Sequence, residues 1–135
     1  MMLHEIHKYF LASSGVVTDT RKIKDNCLFV ALKGENFNGN LFALEAIQKG
    51  AIYALVDDPV IARENNQMIF VEDTLKTLQE LSRFHRKSLK AKIIALTGSN
   101  GKTTTKEILK SVLFQEYKTQ ATEGNLNNHI GVPLT

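Results

Sequence analysis

The chain has 135 residues, 43% of them apolar and 23% charged, with a formal net charge of +3. These are ordinary values for a globular protein, room for one average domain or for one small domain and a piece of another. They exclude a membrane span, because no run approaches the roughly 18 apolar residues one needs, and the single Cys27 excludes an internal disulfide.

The first segment, Leu3-His4-Glu5-Ile6-His7-Lys8, is amphipathic and lacks the apolar core of a signal peptide. It predicts a helix over 3–12, stopped by Ser13-Ser14-Gly15. A short extended piece, Val16-Val17-Thr18, leads into Asp19-Thr20-Arg21. The unbroken apolar run from Cys27 to Leu32 reads as a strand buried on both faces, with Cys27 a buried structural thiol. A lone thiol of this kind fits a reducing cytoplasm.

Lys33-Gly34-Glu35-Asn36-Phe37-Asn38-Gly39-Asn40 reads as a polar loop, long enough to bind something rather than merely connect. A helix over 41–49 follows, stopped by Gly50, and then a strand over 51–56. Asp57-Asp58-Pro59 is either a turn or part of a metal site, and Asp-Pro favours the turn. A third strand over 68–71 precedes a helix over 73–88, with Asp73 as N-cap and Leu75, Leu78, Leu81 and Phe84 facing inward. His4, His7 and His85 are scattered without metal-ligand spacing.

Strands alternating with helices predict an α/β fold, a small mainly parallel domain over 1–90. A new βα unit opens at Ile93 and belongs to a second domain over 91–135. Here the apolar run Ile93-Ile94-Ala95-Leu96 enters Thr97-Gly98-Ser99-Asn100-Gly101-Lys102-Thr103-Thr104-Thr105. A buried strand running into a glycine turn, a lysine and a hydroxyl-rich helix start builds a triphosphate cradle. Turn N–H groups from Gly98, Ser99, Asn100 and Gly101 and the helix N-terminus face the phosphates. Lys102 brings a mobile cation, and Thr103 stands where a hydroxyl holds Mg²⁺, with Thr104 beside it. The usual P-loop has a further glycine upstream, where this chain has Leu96, so the loop is a shortened one. Ile108, Leu109, Val112 and Leu113 form the helix stripe that would pack on a sheet, and Tyr117 to Gln120 reads as a further strand.

Charge is uneven. Residues 76–118 hold ten basic and three acidic side chains, a net +7, and the remainder a net −4. Nucleic-acid binding is one reading of such a segment, but its lysines and arginines lack interleaved aromatics, and a solvated helix beside a phosphate site accounts for the bias. No nucleic-acid partner is expected. Only about 45 residues follow Lys90, fewer than a nucleotide-hydrolysing domain needs. The expectation is therefore the front portion of a longer enzyme.

The shortened loop at 97–105 resembles that of the Mur ligases, the ATP-dependent amide-forming enzymes of peptidoglycan assembly. Asp19-Thr20-Arg21 is similar to the family's Asp-Ser-Arg motif, with threonine keeping the hydroxyl. Leu28-Phe29-Val30-Ala31-Leu32-Lys33-Gly34 and Phe37-Asn38-Gly39-Asn40 resemble its UDP-substrate domain. Gly124-Asn125-Leu126-Asn127-Asn128-His129-Ile130-Gly131-Val132-Pro133-Leu134-Thr135 points, within the family, to the member that adds D-Ala-D-Ala to UDP-N-acetylmuramoyl-tripeptide.

The resemblance implies a three-domain parent, expected to be cytoplasmic and monomeric, and the short second domain predicts that a fragment of this length is inactive and self-associates to cover a sheet edge. It implies ATP and Mg²⁺, an acyl phosphate made on the tripeptide's carboxylate, and attack on it by the amine of D-Ala-D-Ala. Lys102 is then the catalytic cation, with Thr103 on the metal. Asp19, Thr20 and Arg21, together with Lys33, Gly34, Asn38, Gly39 and Asn40, become candidates for the UDP-muramoyl peptide. The Arg21 fork suits either a phosphate or an internal carboxylate that fixes the loop. Asn125, Asn127 and Asn128 either meet the substrate or the metal site or simply form turns. His129 departs from the acidic residue often found there and reads as a loop histidine. Two other classes remain open: a uridine-nucleotide-binding module without turnover, and a small P-loop kinase. A sibling Mur ligase, such as the one adding the third residue, is a further alternative.

Overall fold

The computed structural model describes residues 2–124 and 126–135. The chain divides into two compact units, Met1–Arg86 and Lys87–Thr135. Among the described residues no helix is long and apolar enough to cross a membrane.

The first unit is built on four parallel strands in the order β1 (Val16–Val17), β2 (Leu28–Val30), β5 (Tyr53–Val56) and β6 (Met68–Phe70). The register pairs Val16 with Leu28, Phe29 with Ala54, and Leu55 with Ile69. Parallel strands lie inside, so β2 is buried at every residue, as its unbroken apolar run requires. Side chains alternate across the sheet. On one face Cys27, Phe29, Ala31, Ala54 and Val56 pack with Ala43 and Ala46 of α2 (Ala43–Gln48). The small alanines let helix and sheet approach closely. The alternate positions of the sheet are Leu28, Val30 and Leu55, and helices α1 (Leu3–Ala12) and α3 (Thr74–Ser88) bury Ile6, Leu78 and Leu81. Rings tie these helices together: His7 meets Phe84 edge-on at 4.9 Å, and His7 Nε2 lies 3.1 Å from His85 Nδ1. Burial, and then the neighbouring His85 charge, hold His7 below its ordinary pKa. Two histidines distant in sequence are thus neighbours in space.

Asp73 Oδ1 accepts from Lys76 N at 2.8 Å, the N-cap geometry expected for α3. Phe84, expected inward, is 39% exposed, its ring meeting His7 at the α1–α3 contact near the helix end. The segment expected as an open loop at 33–40 is instead a tight antiparallel hairpin, β3 (Lys33–Gly34) on β4 (Phe37–Asn38). A 3₁₀ turn over Gly39–Phe42 then delays the start of α2. Glycine is required at 39: a Cβ there would stand 2.5 Å from the Leu32 carbonyl oxygen, to which Gly39 N donates at 2.9 Å. Asp58 Oδ1 accepts from Val60 N at 2.9 Å, which is the turn expected of Asp-Pro.

The second unit carries α4 (Lys102–Leu113). Two expected strands are absent from its described residues. Ile93 and Ile94 are about 60% exposed and join no ladder, and 117–120 is likewise unpaired. A strand exists only through a neighbour's hydrogen bonds, and the described residues 87–135 contain no second strand to supply them. For the same reason the α4 stripe at Ile108 and Val112 faces solvent.

Candidate functional site

In the first unit β1 delivers the chain to a 3₁₀ turn, Thr20–Lys22, opened by Asp19. The Asp19 carboxylate accepts from Arg21 N and Nε at 2.9 Å each, and from an Arg21 terminal nitrogen at 2.7 Å. Of the two uses open to the Arg21 fork, the internal carboxylate is the one realised. The side-chain hydrogen bonds from Arg21 hold the Asp19 carboxyl down at about 2. Lys49 Nζ reaches the Thr20 carbonyl at 3.5 Å while pairing with Glu45 at 2.5 Å, so the C-cap residue of α2 braces the motif.

Beside this turn lies a cavity of about 470 Å³, lined by Asp19, Thr20, Arg21, Phe29, Phe37, Phe42 and Glu45, with Thr18 at its edge. The Phe37 and Phe42 rings stack at 5.4 Å and 9°. Phe37 also lines a second depression of about 410 Å³ with Lys33, Gly34 and Asn38. The structure therefore brings the Asp-Thr-Arg turn and the Lys33–Asn38 hairpin to one surface, joined through Phe37. Such a surface offers an aromatic wall, a guanidinium and an ammonium. Those groups suit a flat heterocycle carrying phosphates.

Not every predicted residue faces that surface. Gly39 and Asn40 are buried. Asn40 Nδ2 donates to Asp57 Oδ1 at 2.7 Å and to Asn38 Oδ1 at 2.9 Å, and its Oδ1 accepts from Asp57 N at 3.0 Å. Lys33 Nζ pairs with Asp57 at 2.9 Å, and Thr74 Oγ1 donates to the Ala31 carbonyl at 2.9 Å and to Asp57 Oδ2 at 3.4 Å. Burial alone would raise the Asp57 carboxyl, but hydrogen bonds from Lys33 and Asn40, with the Lys33 charge, outweigh it and hold the pKa below its ordinary value. Asp57 and Thr74 were missed as site-building residues. The signal was present at Asp57, an acid directly after a buried strand, where a parallel sheet gathers its ligand-facing loops. Phe42, whose ring stacks on Phe37, lies within the helix expected over 41–49.

In the second unit the loop ahead of α4 turns through two glycines in the left-handed range, Gly98 at φ +150° and Gly101 at φ +76°. Gly101 is the N-cap residue, with no side chain between the helix N-terminus and a bound anion. Lys102 Nζ folds back to donate to the Gly98 and Ser99 carbonyls. Thr103 and Thr104 stand exposed on the first turn, and Ser99 and Asn100 on the loop. The cation sits on loop carbonyls, from which an incoming phosphate can take it. Asn127 is exposed, whereas Asn128 Oδ1 accepts from Ile130 N at 3.2 Å and Gly131 N at 2.7 Å, a turn-forming use. Asn125 lies outside the described residues. The Thr103 hydroxyl is a hard oxygen donor of the kind Mg²⁺ accepts, in a position compatible with a metal that draws its other ligands from phosphate and water. Among the described residues no group of three His, Cys, Asp or Glu could hold a metal.

Residues 13–86 match the family described as "Mur ligase family, catalytic domain", and residues 96–135 match "Mur ligase middle domain". UDP-N-acetylmuramoyl-tripeptide–D-alanyl-D-alanine ligase of Bacillus subtilis (strain 168) is 47% identical over 122 residues, 90% of this chain and 27% of that protein. The enzyme of the same name from Escherichia coli (strain K12) is 46% identical over 120 residues, 89% of this chain and 26% of its own length. The chain thus spans about a quarter of these relatives. Among solved structures, MurF of Thermotoga maritima in complex with ADP superposes with a TM-score of 0.77 at 32% identity, covering 93% of this chain and 29% of that one. MurF of Acinetobacter baumannii gives 0.79 at 33% identity, covering 98% and 31%. Both family models match within one chain, the first over more than half of it, and relatives at 46–47% identity align with about 90% of it: this protein belongs to the Mur ligase family.

Proposed function

We propose that this chain supplies the UDP-substrate unit and the ATP loop of a cytoplasmic ligase that joins D-Ala-D-Ala to UDP-N-acetylmuramoyl-tripeptide. The observation that carries the proposal is the phosphate loop: two left-handed glycines, an open helix N-terminus, and a lysine resting on exchangeable carbonyls. The names of relatives at 46–47% identity support the choice of substrates. The domain assignment follows, with 1–90 binding the UDP-muramoyl peptide and 91–135 opening the ATP-binding domain.

A carboxylate is a poor acyl donor, and transfer of the γ-phosphoryl group to its oxygen creates a leaving group for the amine to displace. That transfer needs positioning and charge neutralisation more than covalent help from the protein. Backbone N–H groups of Gly98 to Gly101 hold the β-phosphate against the start of α4. Lys102 leaves the Gly98 and Ser99 carbonyls to lie between the β- and γ-phosphates. Thr103 is the residue that would hold Mg²⁺, and the ion would there supply neutralisation of charge on the phosphoryl oxygens. In the substrate unit Arg21 and Lys33 face the nucleotide's phosphates, and the Phe37–Phe42 stack faces its base. Asp19 and Asp57 hold those two cations in place.

Replacing Lys102 by alanine in the full-length ligase tests the loop. Expected is a fall in kcat of at least about 10²-fold with an unchanged thermal midpoint, since the side chain touches only surface carbonyls. A turnover close to wild type would remove the assignment.

A further inference from the structure

We propose that Lys106 is a positioning residue, whose ammonium clamps the main chain at Thr122 and Gly124 onto α4 and so sets the segment beyond Gly124 for the chemistry at the phosphate loop. Its kinetic consequence rests on the ligase reading above. Lys106 follows Lys102 by four residues and therefore shares its side of the helix, about 6 Å further along the axis. The two lysines do different work. Lys102 turns back to the loop carbonyls, whereas Lys106 Nζ donates to Thr122 O at 2.6 Å and to Gly124 O at 3.0 Å, and pairs with Glu107 at 2.8 Å. An ammonium has three donors, and all three are engaged. Lys106 is therefore no second phosphate lysine.

Both long-range partners are main-chain carbonyls, so the contact fixes where the backbone runs, whatever side chains it carries. The Lys106 side chain is 14% exposed, well covered for a residue in a unit whose apolar groups face solvent. Gly124 stands at φ +49°, where the chain turns. Beyond the turn the segment is fixed a second time: Asn128 Oδ1 holds two backbone N–H groups, and a Cβ at Gly131 would meet the Leu126 carbonyl oxygen at 2.7 Å. Asn127 lies exposed between these fixed points. With no packed core around it, the segment takes its placement relative to α4 from the Lys106 clamp.

The test compares Lys106→Met and Lys106→Arg in the full-length ligase. In Lys106→Met, kcat/KM for the UDP-tripeptide should fall about tenfold while the KM for ATP stays within about twofold, because the segment shifts and the phosphate loop does not. Lys106→Arg keeps the charge and donors and should restore most of the loss. Amide hydrogen exchange gives a readout free of the assigned reaction: amides of 121–131 should exchange faster in Lys106→Met, and those of 105–113 should not. Should wild type show no ATP- and tripeptide-dependent turnover, the ligase reading fails and the exchange result alone judges the clamp. Should Lys106→Met not fold, Lys106→Gln, shorter and uncharged, takes its place with the same expectations. An unchanged kcat/KM overturns the proposal whatever the exchange shows. So does an ATP KM that rises in step with the loss, or an arginine variant no better than methionine.

Discussion

Arg21 shows what a single side chain can and cannot announce. Its side chain is 86% exposed, yet its planar fork is spent on a carboxylate two residues away. Read from sequence, a guanidinium beside a loop is equally suited to phosphate or to an internal acid, and only geometry separates the two. The pair adds little stability, because the guanidinium is bathed in water. Its effect is to pre-set the turn and to aim the remaining guanidinium donors outward. Asp19, depressed to about 2 from 3.8, keeps its charge wherever the pH exceeds 3.8, and the pair is lost only as pH falls through about 2. An NMR titration of the Asp19 carboxyl should therefore have its midpoint near 2, and Arg21→Gln should return it toward 3.8. A wild-type midpoint at the ordinary value would show that the fork lies elsewhere in solution.

Among the elements, the β3–β4 hairpin owes its position to a polar core rather than an apolar one. Asn40 is 1% exposed and its side chain makes three hydrogen bonds, two of them to Asp57 and one of those to its carboxylate. Asn40→Ala strips partners from the half-buried Asp57 carboxylate and from the Asp57 backbone N–H together. We expect a loss of about 3 kcal/mol in urea unfolding, and a weakened affinity for uridine diphosphate because Lys33 loses its fixed acid. A loss below about 0.5 kcal/mol, typical of a surface change, would show that the amide is not buried as described. The regular elements around the hairpin were legible in the sequence: helix periodicity located α1 and α3, and unbroken apolar runs located β2, β5 and β6. The hairpin was not. Polar residues look alike whether they face water or one another, and nothing local in Asn38-Gly39-Asn40 says that the second asparagine turns inward. Strands at 93–96 and 117–120 failed for the opposite reason. Their patterns are right, but pairing is a property of two segments, and the partner has to be present.

At the scale of the molecule the two units differ in kind. Among the described residues every buried apolar side chain of the core, from Ile6 to Leu81, belongs to Met1–Arg86, where a parallel sheet is covered on both faces. In Lys87–Thr135 the large apolar side chains at 93, 94, 108, 112 and 114 are each about 60% exposed. Its helix has 12 residues, at the lower limit for a helix that holds in water without tertiary support. Hydrophobic burial is the main favourable term in folding, so the first unit has a driving force that the second lacks. Residues 1–86 expressed alone should therefore unfold in urea as one cooperative transition, with a slope of about 1 kcal/mol/M, as expected of a small domain. Residues 87–135 expressed alone should give a shallow, non-cooperative change in far-UV circular dichroism. A sharp transition in the second peptide would mean that its exposed apolar residues find one another in solution. A featureless trace from the first would mean that the sheet needs more than its own two covering layers to stand.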